Sequence, residues 1–557
     1  MRSVSTKPLA LVALHWMIVA TLVVAFLTGM RIASDSEGAW AQTMNEYVPQ
    51  GAVFVWHRLA GLALLSLLLG YGAFLAVTGG WRRFVGPGKE AAHSNTGAWL
   101  SRLNRALYWL ALLLLSVSVL TGLVQYFHPL SLPMVLVETV HQLVAWTLLG
   151  FVASHVIVQL VMGGWRRLLS IFLPKPVLLP AGILAIGAAL SVGAGMWLWD
   201  RHTTELPVVP VSHVPRIDGQ AHDKAWTRAI PQKILTANGA NFQNGQTTVT
   251  LRAVRDEEKV YFLFEWPDPT RSQKHLPLIK QEQGWQVQQT AFLQADETRY
   301  YEDKFAVMLA RQPLAALASI HLGRQPLAEE PGPSNERGLH YTTDGSVLDV
   351  WHWKSVRTNP SRQADDNHFG PPADSYMLFT DSADSSRPGH QRARQRYTGG
   401  YRKDPPMTWN GYSMNWEYFS ADRMRPRRLP EDRGDVAHLQ QADWSPAVSD
   451  RGDWWLEWND TEPYSPARDD WPVGTVLPLV LIKGPRGGDR GHVDAYGEWR
   501  DGVWRLEMSR VLATGSPNDV ALADGTYLWV AAFDHSQTRH TYHLRPLRLR
   551  FVEPIGD

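Results

Sequence analysis

Four histidines lie inside long apolar stretches of this 557-residue chain: His15, His57, His141 and His155. An ionisable side chain in such a setting is costly and marks a functional position by default. His141 and His155 are 14 residues apart, about 21 Å along a helix and close to four turns, so both face much the same way. One helix can therefore supply one ligand to each of two stacked sites. Two imidazoles on opposite sides of a haem iron suit this arrangement, and the apolar macrocycle suits a bundle interior. For any one histidine alone, an interhelical hydrogen bond is the ordinary alternative. A zinc site is less suitable, because the two pairs lie too far apart for four ligands to meet.

The elements that must position these residues are membrane spans. Five stretches, approximately 9–30, 52–77, 103–126, 134–162 and 177–199, have the length of about 20 residues needed to cross a bilayer core. Backbone without water must satisfy itself, so they are expected to be helices. Arg2 and Lys7 precede the first span, Arg82, Arg83, Lys89 and Arg102 follow the second, and Arg166, Arg167 and Lys175 follow the fourth. The intervening connections, 31–51 and 127–133, carry Arg31 alone. Basic residues mark the cytoplasmic side, which puts the amino terminus inside and everything after Asp200 outside, in the periplasm of a bacterium. His15 and His155 then share the cytoplasmic depth, and His57 and His141 the outer depth. Ala39-Trp40-Ala41 resembles a signal-peptidase site, but the apolar run before it is long, ends early and contains a histidine, so it reads as a span.

Charge and composition follow the same division. Residues 1–200 hold 12 of the 54 Lys and Arg and 6 of the 53 Asp and Glu, so this part is net +6 and the remainder net −5. The mean hydropathy of −0.20 averages over both. With no cysteine anywhere, disulfides, thiolate metal sites and covalently attached haem are excluded. Gly79-Gly80-Trp81-Arg82-Arg83 is echoed by Gly163-Gly164-Trp165-Arg166-Arg167, either two helical hairpins of common design or two interfacial anchors.

Leu14-His15-Trp16, Trp56-His57-Arg58 with Gly61, and the His141/His155 pair resemble the bacterial di-haem cytochrome b family that includes nickel-hydrogenase cytochrome b subunits. The resemblance covers about 9–168. It implies a four-helix domain over 1–175 with two b haems, one held by His15 and His155, the other by His57 and His141. It also implies electron exchange between quinol and an outer partner. No quinone pocket is recognisable; Glu138 and Gln142 beside His141 are candidates, with interfacial solvation the plainer reading. Residues 176–204 would be a fifth transmembrane helix and linker.

Beyond this, 205–557 is dense in Trp, Gly and Pro. Thr247–Ala253 and Lys259–Trp266 alternate like a β-hairpin, and Val476–Ile482, Val503–Met508, Leu528–Phe533 and Leu544–Phe551 also read as strands. An all-β, sandwich-like domain is expected, with 323–470 as long loops over it where a ligand site could be built. The opening Arg216-Ile217-Asp218-Gly219…Ala225-Trp226 resembles both family-nine carbohydrate-binding modules and the haem-binding subunit of ethylbenzene dehydrogenase. Tyr301-Glu302-Asp303-Lys304-Phe305-Ala306-Val307-Met308, Leu348-Asp349-Val350-Trp351-His352-Trp353-Lys354 and Gly399-Gly400-Tyr401 favour the second, over roughly 208–550. That resemblance implies a haem b held by Met308 and Lys354. A lysine must be neutral to bind iron, which a dry aromatic pocket favours. His321, His352 and Met407 are alternative ligands. His390 and His438 read as solvated loop residues.

No nucleotide loop, Ser/His/Asp arrangement or zinc-protease motif stands out, and Arg423–Arg428, interleaved with Pro, is no nucleic-acid surface. The expectation is an inner-membrane electron carrier of a respiratory chain, with two membrane haems b and one outer haem b, working between quinone and a periplasmic redox protein or oxidoreductase subunit. The alternatives are a membrane cytochrome b bearing a non-haem, carbohydrate-binding-like module, and an outer domain with an enzymatic reaction of its own.

Overall fold

The computed structural model describes residues 7–34, 47–49, 52–79, 95–127, 132–172, 174–175, a few positions between 187 and 198, and then 203–313, 320–321, 339–342, 344–373, 399–405, 410–418 and 423–553. The chain divides after His202 into two compact units.

The first unit holds α1 (Leu9–Ala33), α2 (Val53–Thr78), α3 (Asn95–Phe127) and α4 (Met134–Leu169). All four are long and apolar enough to cross a membrane. The expected fifth span, 177–199, lies mostly outside the described residues. None of the four has a proline in its interior, so the hydrogen-bond ladder is not forced open. They are apolar on every side: Leu113, Leu120, Leu143 and Val161 are exposed on the outer surface, as a lipid-facing helix requires. α1 packs along α2, and α3 along α4.

The echoed Gly-Gly-Trp-Arg-Arg segments are where helices break. Gly79 has φ +66° just after α2, and Gly164 has φ 59° and ψ −164° inside α4, conformations that a side chain would strain. The span expected to end at 162 thus loses its helical path at Gly164 and resumes it to Leu169. A short parallel pairing of Lys7–Pro8 with Pro174–Lys175 and a contact of Trp16 with Phe172, rings 4.6 Å apart, bring the start of α1 to the end of α4.

The second unit is mostly β. Twelve strands form one sheet: β1 (Thr204–Pro210), β2 (Gln232–Thr236), β3 (Thr247–Arg255), β4 (Lys259–Pro267), β5 (Lys304–Ala310), β6 (Leu348–Lys354), β7 (Asp365–Ala373), β8 (Gly399–Lys403), β9 (Asp494–Arg500), β10 (Val503–Val511), β11 (Tyr527–Phe533) and β12 (Leu547–Phe551). Their order is β8-β7-β6-β5-β11-β12-β1-β3-β4-β10-β9, with β2 also on β3. β1 runs parallel to both its neighbours, β12 and β3. Strands far apart in this order meet face to face. Phe264 of β4 lies 4.9 Å from Phe305 of β5, and Trp353 of β6 lies 5.0 Å from Trp504 of β10, ring to ring. The main core fills the space between.

The Asp218-Gly219…Trp226 opening is a structural anchor. The buried Glu507 carboxylate of β10 accepts from the Asp218 and Gly219 amides at 2.9 and 2.7 Å and from the Trp226 indole at 2.7 Å. Gly219 has φ +76°, and a Cβ there would come within 2.9 Å of the Glu498 amide nitrogen.

The expectation of loops alone over 323–470 needs correction. Residues 410–482 contribute short strands and a 3₁₀ helix, Arg433–Gln441. With Leu276, Leu278, Trp285 and Val356 they enclose a second core containing Leu429, Leu439, Trp454 and Leu481. Tryptophans scattered among Gly, Pro and Arg supply enough apolar area to bury, although the average composition is that of loops.

Candidate haem-ligand sites

The structure brings His57 and His141 together. Their ring centroids are 6.1 Å apart with planes at 81°. Two imidazoles sharing one metal ion, at about 2.0 Å per metal–nitrogen bond, would place their centroids roughly 6 Å apart.

Both rings are held in the same way. His57 Nδ1–H donates to the Ala25 carbonyl (3.0 Å), with Thr28 Oγ1 at 3.1 Å. Thr28 spends its own hydroxyl proton on the Val24 carbonyl at 2.6 Å, so toward His57 it accepts. His141 Nδ1–H donates to Thr121 Oγ1 at 2.8 Å, and that hydroxyl donates to the Val117 carbonyl at 2.8 Å. With Nδ1 carrying the proton, Nε2 keeps its lone pair in each ring. Metal-binding histidines have this outer-shell pattern. A glycine follows each threonine and makes room for the ring. A Cβ on Gly29 would come within 3.0 Å of His57 Cε1, and one on Gly122 within 3.6 Å of His141 Cε1. Sequence reasoning missed these four residues, although Leu27-Thr28-Gly29 and Leu120-Thr121-Gly122 repeat openly.

His15 and His155 are placed differently. His155 stacks with Phe151 (centroids 5.6 Å, planes at 30°) and meets Tyr108 edge-on at 5.8 Å. His15 contacts Trp16 at 5.6 Å. No contact between the rings of His15 and His155 is seen among the described residues. Near His155 on α4, the Gln159 amide donates to Asn104 Oδ1 of α3 at 2.7 Å. Glu138 is half-buried and Gln142 exposed.

In the second unit, register decides what can meet. Met308 lies opposite Val350 on one side and Trp529 on the other, and Ala306 lies opposite His352 and Ala531. Alternate residues share a face, so Met308, His352 and Lys354 stand on one face, away from the main core. On that face Ala306, Met308, His352 and Ala531 are only partly buried, while Trp529, Phe533, Lys304 and Lys354 around them are buried.

His352 stacks on Phe533 at 5.4 Å, and its buried Nε2 has no hydrogen-bond partner. Burial first, and then Lys354, Lys304 and Arg357, hold its pKa well below the ordinary 6.5, so the ring is a neutral donor. Lys354 is otherwise engaged. Its ammonium pairs with Asp365, whose carboxylate also takes Arg490 at 2.9 Å and the Tyr412 hydroxyl at 2.8 Å. Burial pulls the Lys354 pKa down to about 8 against the pull of Asp365. Four residues of strand separate Lys354 from the register position of Met308, about 13 Å. The structure thus does not assemble Met308 and Lys354 as a ligand pair, because the nearer carboxylate claims the amine. His321 belongs to a short strand, Ile320–His321, and Met407 and His390 lie outside the described residues. His438 is exposed, as expected, but sits on a 3₁₀ helix, Arg433–Gln441, with Nε2 2.9 Å from the Asp453 carbonyl.

A family model described as ethylbenzene dehydrogenase matches residues 223–545, more than half of the chain. The chain belongs to the ethylbenzene dehydrogenase family. A second model, described as prokaryotic cytochrome b561, matches residues 7–175. This ethylbenzene dehydrogenase family member is therefore an integral membrane protein whose first unit is a b-type, haem-binding electron carrier. No curated protein matches the chain. Two solved structures of a family 9 carbohydrate-binding module from Caldicellulosiruptor kristjanssonii, one with glucose and one with cellotriose, cover 64% and 63% of this chain and all of theirs. Their identities are 10% and 9%, and both TM-scores are 0.21. A likeness of that degree carries nothing further.

Proposed function

We propose that this protein carries electrons between the quinone pool of a bacterial inner membrane and a periplasmic redox protein or oxidoreductase subunit. The observation that carries the proposal is the 6.1 Å approach of His57 and His141, each with Nδ1 already engaged. His57 and His141 hold one haem b toward the periplasm, and His15 and His155 a second toward the cytoplasm. Haem iron supplies one-electron redox chemistry when bound. The chain's own contribution is to fix the His57 and His141 imidazoles as neutral donors, to exclude water with the apolar helices, and to stack the two positions across the bilayer.

In this reading a fifth span, 177–199, exits to a periplasmic unit whose folded-over sheet is a β-sandwich. The face that carries Ala306 and Ala531 takes an outer haem b. Met308 supplies one ligand there. The other is Lys354 once it leaves Asp365, or His352, whose Nε2 is uncommitted. No bonds of a substrate are made or broken beyond quinol oxidation or quinone reduction. No observation favours the carbohydrate-binding alternative.

The proposal is tested by mixing the oxidised full chain with a short-chain quinol. Reduction of its b-type absorbance is expected. Absorbance that dithionite reduces and quinol leaves oxidised would contradict the link to quinone.

A further inference from the structure

On the opposite face of β7 from Asp365 lies a carboxylate that the haem reading does not use. Asp366 is fully buried, and neither of its oxygens has a hydrogen-bond partner. Asp349 Oδ1, Asp404 Oδ2 and Asp519 Oδ1 around it are likewise buried and unpartnered. The neighbouring cation is shared: Arg510 pairs with Asp349, donates to the Val520 carbonyl and stands 3.8 Å from Asp519, while its buried Nε keeps no partner. His368 is paired with Asp404. His492 reaches Asp519 Oδ2 through Nδ1 at 3.2 Å and Asp489 through Nε2 at 3.9 Å. Four carboxylates against one guanidinium and two imidazoles leave an excess of negative charge in a dry site, which costs several kcal/mol per uncompensated ion.

The donor atoms of Asp366, His492 and Asp519 lie within 4.8 Å of one another. A second cluster, Asp303 with Asp534 and His535, is as closely set but is satisfied internally. Asp303 already accepts from the Ser272 amide at 2.7 Å, the His535 amide at 3.0 Å and the Trp504 indole at 3.2 Å. Asp366 has no such donors.

We propose that Asp366, Asp519 and His492 bind a divalent transition-metal ion of the zinc or manganese class. Two carboxylates and one imidazole are an N/O set suited to such ions, with remaining positions open to water. The ion pins β7 to the segment before β9 and to the loop after β10, and it supplies the positive charge that Arg510 alone does not. Of the three side chains only that of His492 is partly exposed, so ions reach the site from solvent on that side. The proposal is independent of the haem assignment.

The test uses the detergent-purified full chain, stripped with chelator and dialysed against limiting zinc or manganese, with zinc and manganese counted separately from iron. About one equivalent should be retained, the thermal transition should rise on metal addition, and both Asp366→Asn and His492→Gln should abolish retention and shift. His492→Gln alone decides the matter if Asp366→Asn fails to fold. No uptake by the unsubstituted chain, or uptake that both variants keep, would overturn the proposal and leave Asp366 as a buried, protonated acid.

Discussion

His57 and His141 face each other at 6.1 Å, and each is braced at Nδ1 by a threonine of the helix that precedes its own. The brace is a repeated device: Thr28 with the Ala25 carbonyl serves His57, and Thr121 serves His141. It fixes which nitrogen faces a metal.

Removing the brace should loosen haem without removing a ligand. Thr28→Val or Thr121→Val takes away the hydroxyl acceptor while keeping the shape. Outer-shell partners of this kind are worth about 10–100-fold in metal affinity. Haem retention during dilution should fall by roughly tenfold in either variant. Equal retention in all three proteins would show the hydroxyls to be bystanders.

The glycines give a graded prediction. Gly29→Ala places a Cβ 3.0 Å from His57 Cε1, whereas Gly122→Ala places one at an ordinary 3.6 Å from His141 Cε1. The first substitution should perturb the low-spin haem spectrum, and the second should leave it unchanged. The reverse order would mean that the rings are not held where these distances put them.

In the second unit, His275 ties stability to pH. It is buried beside Glu302, 3.2 Å away, and its pKa is lowered to about 4 by burial and then by Arg357, against the pull of Glu302. An unfolded chain takes up this proton near 6.5, so between pH 6.5 and 4 the unfolded state binds more protons and stability falls as pH falls. The loss reaches on the order of 3 kcal/mol at the low end. Tryptophan-fluorescence unfolding of the unsubstituted chain and of His275→Gln checks this. The variant should show the shallower decline over that range, and identical slopes would contradict it.

What could be read from the sequence follows from how local each signal is. A histidine in an apolar stretch is conspicuous, so His57 and His141 were legible, and charge asymmetry gave their common depth. Thr28 and Thr121 were not, because a threonine in a span satisfies itself on its own helix, and its second partner depends on which helices pack. Alternation disclosed some strands: 259–266 was expected where Lys259–Pro267 is found, whereas the expected strand Val476–Ile482 is two short ones, Val476–Leu477 and Val480–Ile482, in different sheets. It could not disclose that β1 lies between β12 and β3, joining the two ends of the unit. The engagement of Lys354 by Asp365 was hidden for the same reason. Eleven residues and a turn separate them, and only the β6–β7 register makes them neighbours.

The central claim is that paired histidines of the membrane unit each hold a haem b. A pyridine haemochrome count on the intact chain, beside His57→Ala and His155→Ala, tests it most directly. Each variant should lose one haem relative to the unsubstituted protein, with the two losses additive in the double variant. Full haem content in both single variants would contradict the account.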